Sequence, residues 1–369
     1  MSLVLARLRR HVVRRALFPP TTLAGAVGRL GFVQADPIRA PARAQDLILR
    51  HRVRGYRAGD LERAYPALGL DEDYLYAYGF AAPAVRRLLH PGAAGAPAGL
   101  HGAVLACVRA LGTAHPRDVA AALGTARERN AWGGQSLATT RALEALHARG
   151  LVRVARRERG VRVYAPADDV PHEPVAPAER LRAVVLLLAE LFAPLPEAAL
   201  RRVLRYVPFV RRTVPAPAMR AAVAALVREG ALEAGTLGGG PAAGEPWVWT
   251  PGVRPWEPAA APGRVRFLAP FDPLVWDRGR FERLWGWAYR FEAYTPAARR
   301  ERGHYALPLL WGADVAGWAT VAARPHGALD VATGFAAGGA PKDPAFAREL
   351  EAEVERMRHF LTPRRAAGG

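Results

Sequence analysis

The chain has 369 residues, of which 51% are apolar, so it is long enough for two or three domains with buried cores. It carries 52 basic and 33 acidic residues, a formal net charge of +19. The single cysteine, Cys107, excludes an intramolecular disulfide and any zinc or iron–sulfur site built from several cysteines. The ten histidines show no spacing typical of metal ligands, and neither a metal nor another cofactor is predicted.

The positive charge is concentrated near the N-terminus. Residues 1–60 hold twelve arginines and three acids, a net charge of +9. Such an excess is typical of proteins that bind nucleic acid, and an anionic membrane surface is the competing interpretation. The segment 1–18 lacks an apolar core long enough for a signal peptide or a membrane span, so we expect a cytoplasmic protein that does not enter the membrane.

The first elements predict a winged-helix-like unit over residues 1–100, which contains the candidate catalytic motif. Leu5, Leu8 and Val12 fall on one side of an amphipathic helix with a basic outer face. The stretch "TTLAGAVGRLG" predicts a second helix, with a threonine as N-cap and a glycine as its C-terminal stop. "FVQAD" is then extended, and "IRAPARAQDLILRHRV" predicts a further helix.

The extended stretch places two polar residues together. Alternation in a strand puts Gln34 and Asp36 on the same face. A carboxylate there could activate a water or stabilise an oxocarbenium ion, with the glutamine amide holding the water. The alternative is that Asp36 caps the next helix, with Pro37 at its first position. By local pattern alone, the cap is favoured.

Arginines follow this pair with few acids to neutralise them. At their spacing, Arg39, Arg43, Arg50 and Arg54 share one face of the predicted helix, and Arg52 lies beside them. Asp46 could pair with an arginine three or four residues away, but one acid cannot neutralise them all. We therefore predict a phosphate-binding face.

Residues 101–170 predict a winged helix. Three helical stretches precede "LVRVARRERGVRVYAP", whose alternating valines and polar tip are typical of a β-hairpin. The recognition helix would present five polar residues to a DNA groove: Gln135, Ser136, Thr139, Thr140 and Arg141. The wing would touch phosphates through Arg156, Arg157, Arg159 and Arg162. A protein-interaction module with solvated wing arginines is the alternative.

The rest of the chain predicts a second winged helix and a β-rich end. Residues 178–255 repeat the order of three helices and a hairpin, but the wing tip "TLGGGPAAGE" has no basic residue, so we expect a scaffold. Residues 264–369 show short apolar runs separated by turns, which predict a small antiparallel sheet or barrel, followed by an amphipathic helix. The aromatic residues of this part could stack on bases, but we expect most of them to form its core. They are Phe271, Trp276, Phe281, Trp285, Trp287, Tyr289 and Phe291. The fold class is therefore α+β.

The absent motifs narrow the chemistry. Lys342 is the only lysine and lies in a C-terminal loop, so a Schiff base formed by a lysine is not expected. No acidic cluster suited to two-metal chemistry and no Walker A motif stands out. Base-excision chemistry in this chain would be hydrolytic.

Two blocks of the sequence carry a family resemblance. "GFVQADPIRAPARAQDLILRHRV" and "FLAPFDPLVWDRGRFERLWGWAYRFEAYTPAARRERGHYALPLLWGADVAG" resemble the AlkZ/YcaQ family of winged-helix DNA glycosylases. The resemblance implies tandem winged helices followed by a β-barrel-like domain, in a C-shape around DNA. Residues 71–91 depart from it, because they lack the Trp–Ala–His-type sequence of the family.

The resemblance also implies an activity. The family excises alkylated bases, notably N7-alkylguanines, and some members unhook interstrand crosslinks. Gln34–Ala35–Asp36 matches its Gln–apolar–Asp branch, so Gln34 and Asp36 would be the catalytic pair, with Asp36 acting on the water and Gln34 orienting it.

Two hypotheses follow from these observations. The first is a monofunctional DNA glycosylase that acts on double-stranded DNA as a monomer, without a cofactor and without a membrane, and is associated with the nucleoid when bound. The alternative is a non-catalytic winged-helix DNA-binding protein such as a transcription regulator. The surroundings of Asp36 discriminate between them: an open basic cleft favours the enzyme, and a buried helix end favours the binding protein.

Overall fold

Helices and short strands alternate along the computed structural model, which describes residues 2–3, 5–91, 95–129, 133–167, 175–237, 244–251, 263–336 and 339–364. Within these ranges the helices are α1 (Leu5–Ala16), α2 (Leu23–Leu30), α3 (Ala44–Leu49), α4 (Asp60–Ala64), α5 (Pro83–Leu89), α6 (Gly99–Leu111), α7 (Pro116–Leu123), α8 (Ala138–Ala148), α9 (Pro177–Phe192), α10 (Glu197–Leu204), α11 (Pro208–Thr213), α12 (Ala216–Arg228), α13 (Arg278–Trp285) and α14 (Pro344–Leu361).

The strands are short, and all their pairings are antiparallel except that of β1 with β10. They are β1 (Ser2–Leu3), β2 (Phe32–Gln34), β3 (Asp71–Tyr74), β4 (Tyr78–Ala81), β5 (Arg127–Arg129), β6 (Gln135–Leu137), β7 (Val152–Glu158), β8 (Val161–Pro166), β9 (Leu195–Pro196), β10 (Glu233–Leu237), β11 (Pro246–Trp249), β12 (Val265–Phe267), β13 (Leu307–Trp311), β14 (Asp314–Ala323) and β15 (Leu329–Phe335). The predicted mixture of helices with small antiparallel sheets is confirmed.

The N-terminal unit begins as its sequence predicts. Helix α1 buries its apolar side, including Leu8 and Val12. In α2 the Thr22 side chain accepts a hydrogen bond from the Gly25 N–H, and Gly31 ends the helix at a φ of 69°, which glycine adopts without steric cost. Strand β2 follows at once and joins a three-stranded sheet of order β2-β4-β3.

The long helix predicted after β2 is wrong in extent. Only Ala44–Leu49 is helical, with Arg43 as N-cap and Arg50 as C-cap. The two prolines of "DPIRAP" explain the late start, because proline disfavours a helical residue before it and supplies no N–H. Arg39 and Arg54 lie outside the helix, so the four arginines do not share one helical face.

The 99–167 unit has a core of its own. Helices α6, α7 and α8 and the hairpin β7–β8 occur in the predicted order, and their apolar side chains form a cluster around Val108, Leu143 and Leu146. The sequence did not predict the small ladder of β5 with β6 that precedes α8. This core is separate from that of the other parts of the chain, and polar contacts that join the two parts include those of Arg157 with the Glu72 carboxylate and of His147 with the Glu72 carbonyl.

The other parts of the chain share one continuous core. Strands β1 and β9 flank the β10–β11 hairpin in a sheet of order β1-β10-β11-β9. Residues 238–243, in the wing tip of the predicted scaffold unit, lie outside the described residues. Strands β12 to β15 form a meander in chain order, with β12 and β15 as its edges, so in the described residues this is an open sheet and not a closed barrel. Helix α14 packs against it.

A buried ion pair ties the N-terminal unit to the C-terminal part. Arg52 is 0% exposed and donates to both carboxylate oxygens of Asp272, at 2.8 and 3.0 Å. Its guanidinium also donates to the carbonyl groups of Ala16 and Ile48. Arg50 pairs with the buried Glu353. The prediction that Arg50 and Arg52 contact DNA is therefore wrong, because both guanidinium groups are enclosed and already paired.

No helix in the described part of the chain combines the length and the apolar character that are needed to cross a membrane.

Substituting Arg52 by methionine should lower the free energy of unfolding by about 3–5 kcal/mol, because Asp272 would be left buried without its partner. Urea unfolding measures this, with Arg54→Met as the matched control. Arg54 is exposed two residues away, and within the described residues its guanidinium donates to the Pro20 carbonyl alone. Equal effects of the two substitutions would contradict the structural role of Arg52.

Candidate active site

Strand β2 places the Gln34–Ala35–Asp36 motif beside β4. Phe32 and Val33 are buried, Gln34 is opposite Gly79, and the Ala35 N–H donates to the Tyr78 carbonyl at 2.9 Å. A Cβ atom at Gly79 would lie 2.3 Å from the Val33 carbonyl oxygen and 3.0 Å from the Gln34 Cα. Glycine at this position therefore permits the close approach that holds the motif in place.

Gln34 is buried with an unsatisfied acceptor. Its side chain is 9% exposed, and among the described residues its Oε1 has no hydrogen-bond partner. Buried polar atoms are almost always paired, so an orphaned amide oxygen points to a water or a ligand group.

Asp36 does not cap a helix. Its Oδ1 accepts from the Ile38 N–H at 2.9 Å, in a local turn, and the next helix after Asp36 begins only at Ala44. The helix-cap prediction is therefore wrong, although the carboxylate is held by its own backbone. Burial raises the pKa of Asp36, and the bond from Ile38 opposes that rise only in part. In the described structure no basic side chain forms an ion pair with this carboxylate.

Asp36 lines a cavity of about 330 Å³. Its apolar wall comes from Ala35, Pro37 and Phe80, and its polar lining comprises Asp36, Arg43, Gln45, Glu62, Glu72, Tyr78, Arg157 and Arg162. Gln34 does not line this cavity, although it precedes the wall by one residue. The cavity brings together the N-terminal unit and the β7–β8 wing, which are far apart in the sequence.

Glu72 is the buried centre of this junction. Arg157 donates to it through Nε, at 2.9 Å to each oxygen, and through Nη2 at 2.6 Å, and the Tyr78 hydroxyl donates at 2.8 Å. Burial opposes ionisation, but the hydrogen bonds and charge of Arg157 outweigh it, so the pKa of Glu72 is lowered. Glu72 was not among the residues predicted from the sequence. The sequence feature that could have indicated Glu72 is the acidic run "DEDY", which lies within the segment that departs from the family pattern.

A second cavity, of about 770 Å³, adjoins the first and shares Arg43, Glu62 and Arg157 with it. Arg39, Arg63 and Arg159 also line it. Arg43 pairs with Glu62. Burial, together with the charges of Arg39 and Arg157, lowers the pKa of Arg43. The two cavities together form a cleft with an arginine-rich rim, which we call the arginine cleft.

The arginines predicted to contact phosphates divide into those that line the arginine cleft and those that do not. Those that line the arginine cleft are Arg39, Arg43, Arg157, Arg159 and Arg162. Arg162 lies over the Tyr78 ring, 4.4 Å from its centroid. Arg156 pairs with Glu158 at 2.6 Å and does not line the cleft, and Arg54 lies beside Pro20.

Other expectations for polar residues near the cleft are changed. Asp46 accepts from the Tyr56 hydroxyl and the Gly59 N–H and, within the described structure, pairs with no arginine, contrary to expectation. Thr139 is buried, so the prediction that it faces a groove is wrong. Gln135 and Ser136 lie in β6 and not in the helix, and Arg141 donates to the Arg129 carbonyl. Within the described ranges no cluster of His, Cys, Asp and Glu could hold a metal ion.

Comparison with known proteins gives two matches over most of the chain. A family model described as DNA glycosylase AlkZ-like matches residues 27–360. Among solved structures, Streptomyces sahachiroi DNA glycosylase AlkZ is similar, with a TM-score of 0.62 and 13% sequence identity, over 98% of this chain and 97% of that chain. At this identity the structural match shows a shared fold.

The raised pKa of Asp36 predicts the effect of Asp36→Asn on stability. A carboxyl whose pKa is higher in the folded than in the unfolded protein binds its proton more tightly when folded. Ionisation therefore costs stability as the pH rises above about 4, the ordinary aspartate value. Asparagine keeps an acceptor for Ile38 and removes that cost, so the variant should be at least as stable as the wild type at pH 7. Urea unfolding at pH 7 and pH 5 measures the difference, which should shrink at the lower pH.

Asp60→Asn is the control of opposite sign. Burial opposes ionisation of Asp60 as well, but its bonds from Arg364, the Arg57 N–H and Arg63 outweigh burial and lower its pKa. The Asp60 variant should therefore lose stability at pH 7. If Asp36→Asn instead loses stability at pH 7, burial does not destabilise the ionised Asp36 carboxylate in the folded protein.

Proposed function

The chain belongs to the AlkZ-like DNA glycosylase family, and on that basis we propose that it is a monofunctional glycosylase that removes N7-alkylguanine-type bases from double-stranded DNA. The observation that carries the proposal is Asp36: a partly buried carboxylate with no cationic partner in the described structure, in the wall of a cleft rimmed by arginines. A non-catalytic DNA-binding protein has no use for such a group.

The chemistry fits a cationic leaving group. Alkylation at N7 places a positive charge on guanine, so the C1′–N9 bond can break without prior protonation of the base. The bonding electrons leave with the base, which becomes neutral, and positive charge develops at C1′. The Asp36 carboxylate stabilises that charge, and a water attacks C1′ and transfers a proton to Asp36. The products are the free base and an abasic site.

Gln34 would orient the attacking water. Its Oε1 has no partner in the described structure, and because this atom is enclosed behind the cavity wall, DNA binding would have to open the wall beside Ala35 before the oxygen could accept a hydrogen bond from the water. The small Ala35 separates it from Asp36, and the β2–β4 ladder continues to Ala35 and keeps this backbone extended. These features support assignment of the chain to the Gln–apolar–Asp branch.

Arginines of the cleft would hold the DNA backbone. Arg39 and Arg159 are exposed, and no carboxylate in the described residues pairs with either of them. They come from the two sides of the cleft, the loop after β2 and the tip of the β7–β8 wing, and so could grip phosphates on both sides of a lesion. All the residues that this reaction needs come from one chain, which supports action as a monomer.

The reaction would stop at the abasic site. Cleavage of the DNA by a lyase step needs an amine that forms a Schiff base with C1′. Lys342 is exposed just before α14 and lines neither cavity of the cleft. A crosslink through guanine N7 carries the same cationic linkage as a simple N7-alkylguanine, so the proposal includes unhooking of such crosslinks.

Asp36→Asn should reduce the release of 7-methylguanine from a duplex about 10²- to 10⁴-fold, the usual contribution of a positioned acid or base. Gln34→Ala should reduce it about 5- to 150-fold, through loss of one buried hydrogen bond. Single-turnover assays on duplexes with one 7-methylguanine, and on nitrogen-mustard crosslinks, measure both effects. The product strand should remain intact and form no borohydride-trapped adduct. Wild-type protein that releases no base would overturn the proposed function.

Replacing Arg39 and Arg159 together by alanine should weaken DNA binding and make it less dependent on salt. The slope of log K against log[salt] changes by about 0.9 for each phosphate that the protein no longer neutralises, so the slope of the double variant should be shallower by roughly two units. Fluorescence anisotropy over a salt series measures this. Arg54→Ala is the control, an exposed arginine away from the cleft that should leave the slope unchanged. An identical slope in the double variant and the wild type would remove these arginines from the interface.

A further inference from the structure

A long connection lies between α13 and β13. It runs over 21 residues, from 286 to 306, and contains only one short 3₁₀ turn, Ala297–Arg299. Connections of this length without regular structure are uncommon in compact domains and usually carry a function. The proposed reaction does not use this segment.

The connection is held in one shape by its own polar groups. The buried Glu292 carboxylate accepts from the N–H groups of Arg302 and Gly303, at 2.9 and 3.2 Å. The Arg300 guanidinium donates to the Thr295 carbonyl, and the Tyr289 hydroxyl donates to the Ala306 carbonyl. These bonds close the loop at its base and fix its tip before any ligand arrives.

The tip presents one bare aromatic ring. Tyr294 is 83% exposed, the most exposed large apolar side chain of the described structure. Its ring meets Phe291 edge to face at 6.2 Å, and Phe291 is in turn braced by Phe271 at 5.0 Å and Tyr305 at 5.2 Å. A rigidly supported ring loses little conformational entropy when it stacks on a partner.

Exposed arginines precede and follow Tyr294 in this connection. Arg290 and Arg299 are both exposed, and neither forms an ion pair within the described residues. Of the two acids nearest in the sequence, Glu292 accepts hydrogen bonds from the backbone, and Glu301 pairs with Arg302 at 3.6 Å. An exposed aromatic ring and exposed arginines on one loop are the residue types by which proteins stack on bases while contacting phosphates.

The loop also lies next to the candidate active site. Tyr305, which braces Phe291, lines a cavity of about 650 Å³ together with Ala40, from the loop between Asp36 and Arg43. Burial, followed by the charge of Asp36, raises the pKa of the Tyr305 phenol. The tip of the connection is therefore linked to the Asp36 side of the cleft through two ring contacts.

We propose that Tyr294 stacks on a base of duplex DNA beside the lesion, as a wedge at the damaged step, while Arg290 and Arg299 contact the flanking phosphates. This inference rests on the proposed function, which places the damaged nucleotide at Asp36. Insertion of a side chain into the stack costs least at a step that is already weakened by damage. It would hold the sugar in place without requiring that the base be enclosed in a pocket.

A duplex with a tetrahydrofuran abasic analogue and a neighbouring 5-iodouracil tests the proposal, because iodouracil crosslinks under light to an aromatic ring stacked on it. Wild-type protein should give a crosslinked peptide that contains Tyr294. Tyr294→Ala should lose that crosslink and bind the duplex about 5- to 150-fold more weakly. Tyr294→Trp should keep both properties. Since the side chain is exposed, the melting temperature of all variants should be unchanged.

Tyr206→Ala is the matched control. Tyr206 is 50% exposed, lies against Trp276 and lines no cavity of the cleft, so its removal should change neither the crosslink nor the affinity. If Tyr294→Ala binds and crosslinks like the wild type while 7-methylguanine is still released, the wedge is refuted and the proposed function stands. If the Tyr294 crosslink forms but no base is released, the proposed function fails and the DNA contact stands.

Discussion

The salt bridge between Arg157 and Glu72 joins two parts of the molecule that have separate cores. Glu72 lies in β3, in the sheet that carries Gln34, and Arg157 lies in the wing of the 99–167 unit. Burial of a carboxylate is costly unless hydrogen-bond donors reach both of its oxygens. Arg157 and Tyr78 donate to the two oxygens of Glu72. The Arg157–Glu72 contact therefore fixes the position of the β7–β8 hairpin relative to Asp36. It also fixes the width of the arginine cleft, because both cavities of the cleft include Arg157.

The large net charge does not translate directly into DNA contacts. Arg50, Arg52 and Arg86 pair with buried acids, and Arg280 donates to buried carbonyl groups. The pairs of Arg50 and Arg52 join elements far apart in the chain, with separations of 303 and 220 residues. On the cleft, Arg39 and Arg159 are exposed and have no ion-pair partner within the described residues, which is why the proposed function assigns phosphate contacts to them. A basic composition signals an anionic partner, but burial decides which residues meet it.

Asp36 stands out against this background because, among the described carboxylates that line its cavity, it is the one without an arginine partner. Glu62 and Glu72, which line the same cavity, are both paired. Burial without a cationic partner raises the pKa of Asp36, so its ionised form is disfavoured in the folded protein. Under the proposed function, an unpaired carboxylate is the group that would stabilise positive charge at C1′. The sheet beneath holds that carboxylate in place through the close approach at Gly79.

Local patterns in the sequence were sufficient for α1, the capped helix α2 and the order of helices and hairpin from 99 to 166, because periodicity and caps depend on neighbouring residues. The candidate pair Gln34 and Asp36 came from alternation together with the family resemblance. Tertiary structure decided the rest: the short α3, the burial of Arg50 and Arg52, and the role of Glu72. The contacts of Arg50, Arg52 and Glu72 join partners 303, 220 and 85 residues away, and no local pattern records the desolvation or the pairing that such contacts bring.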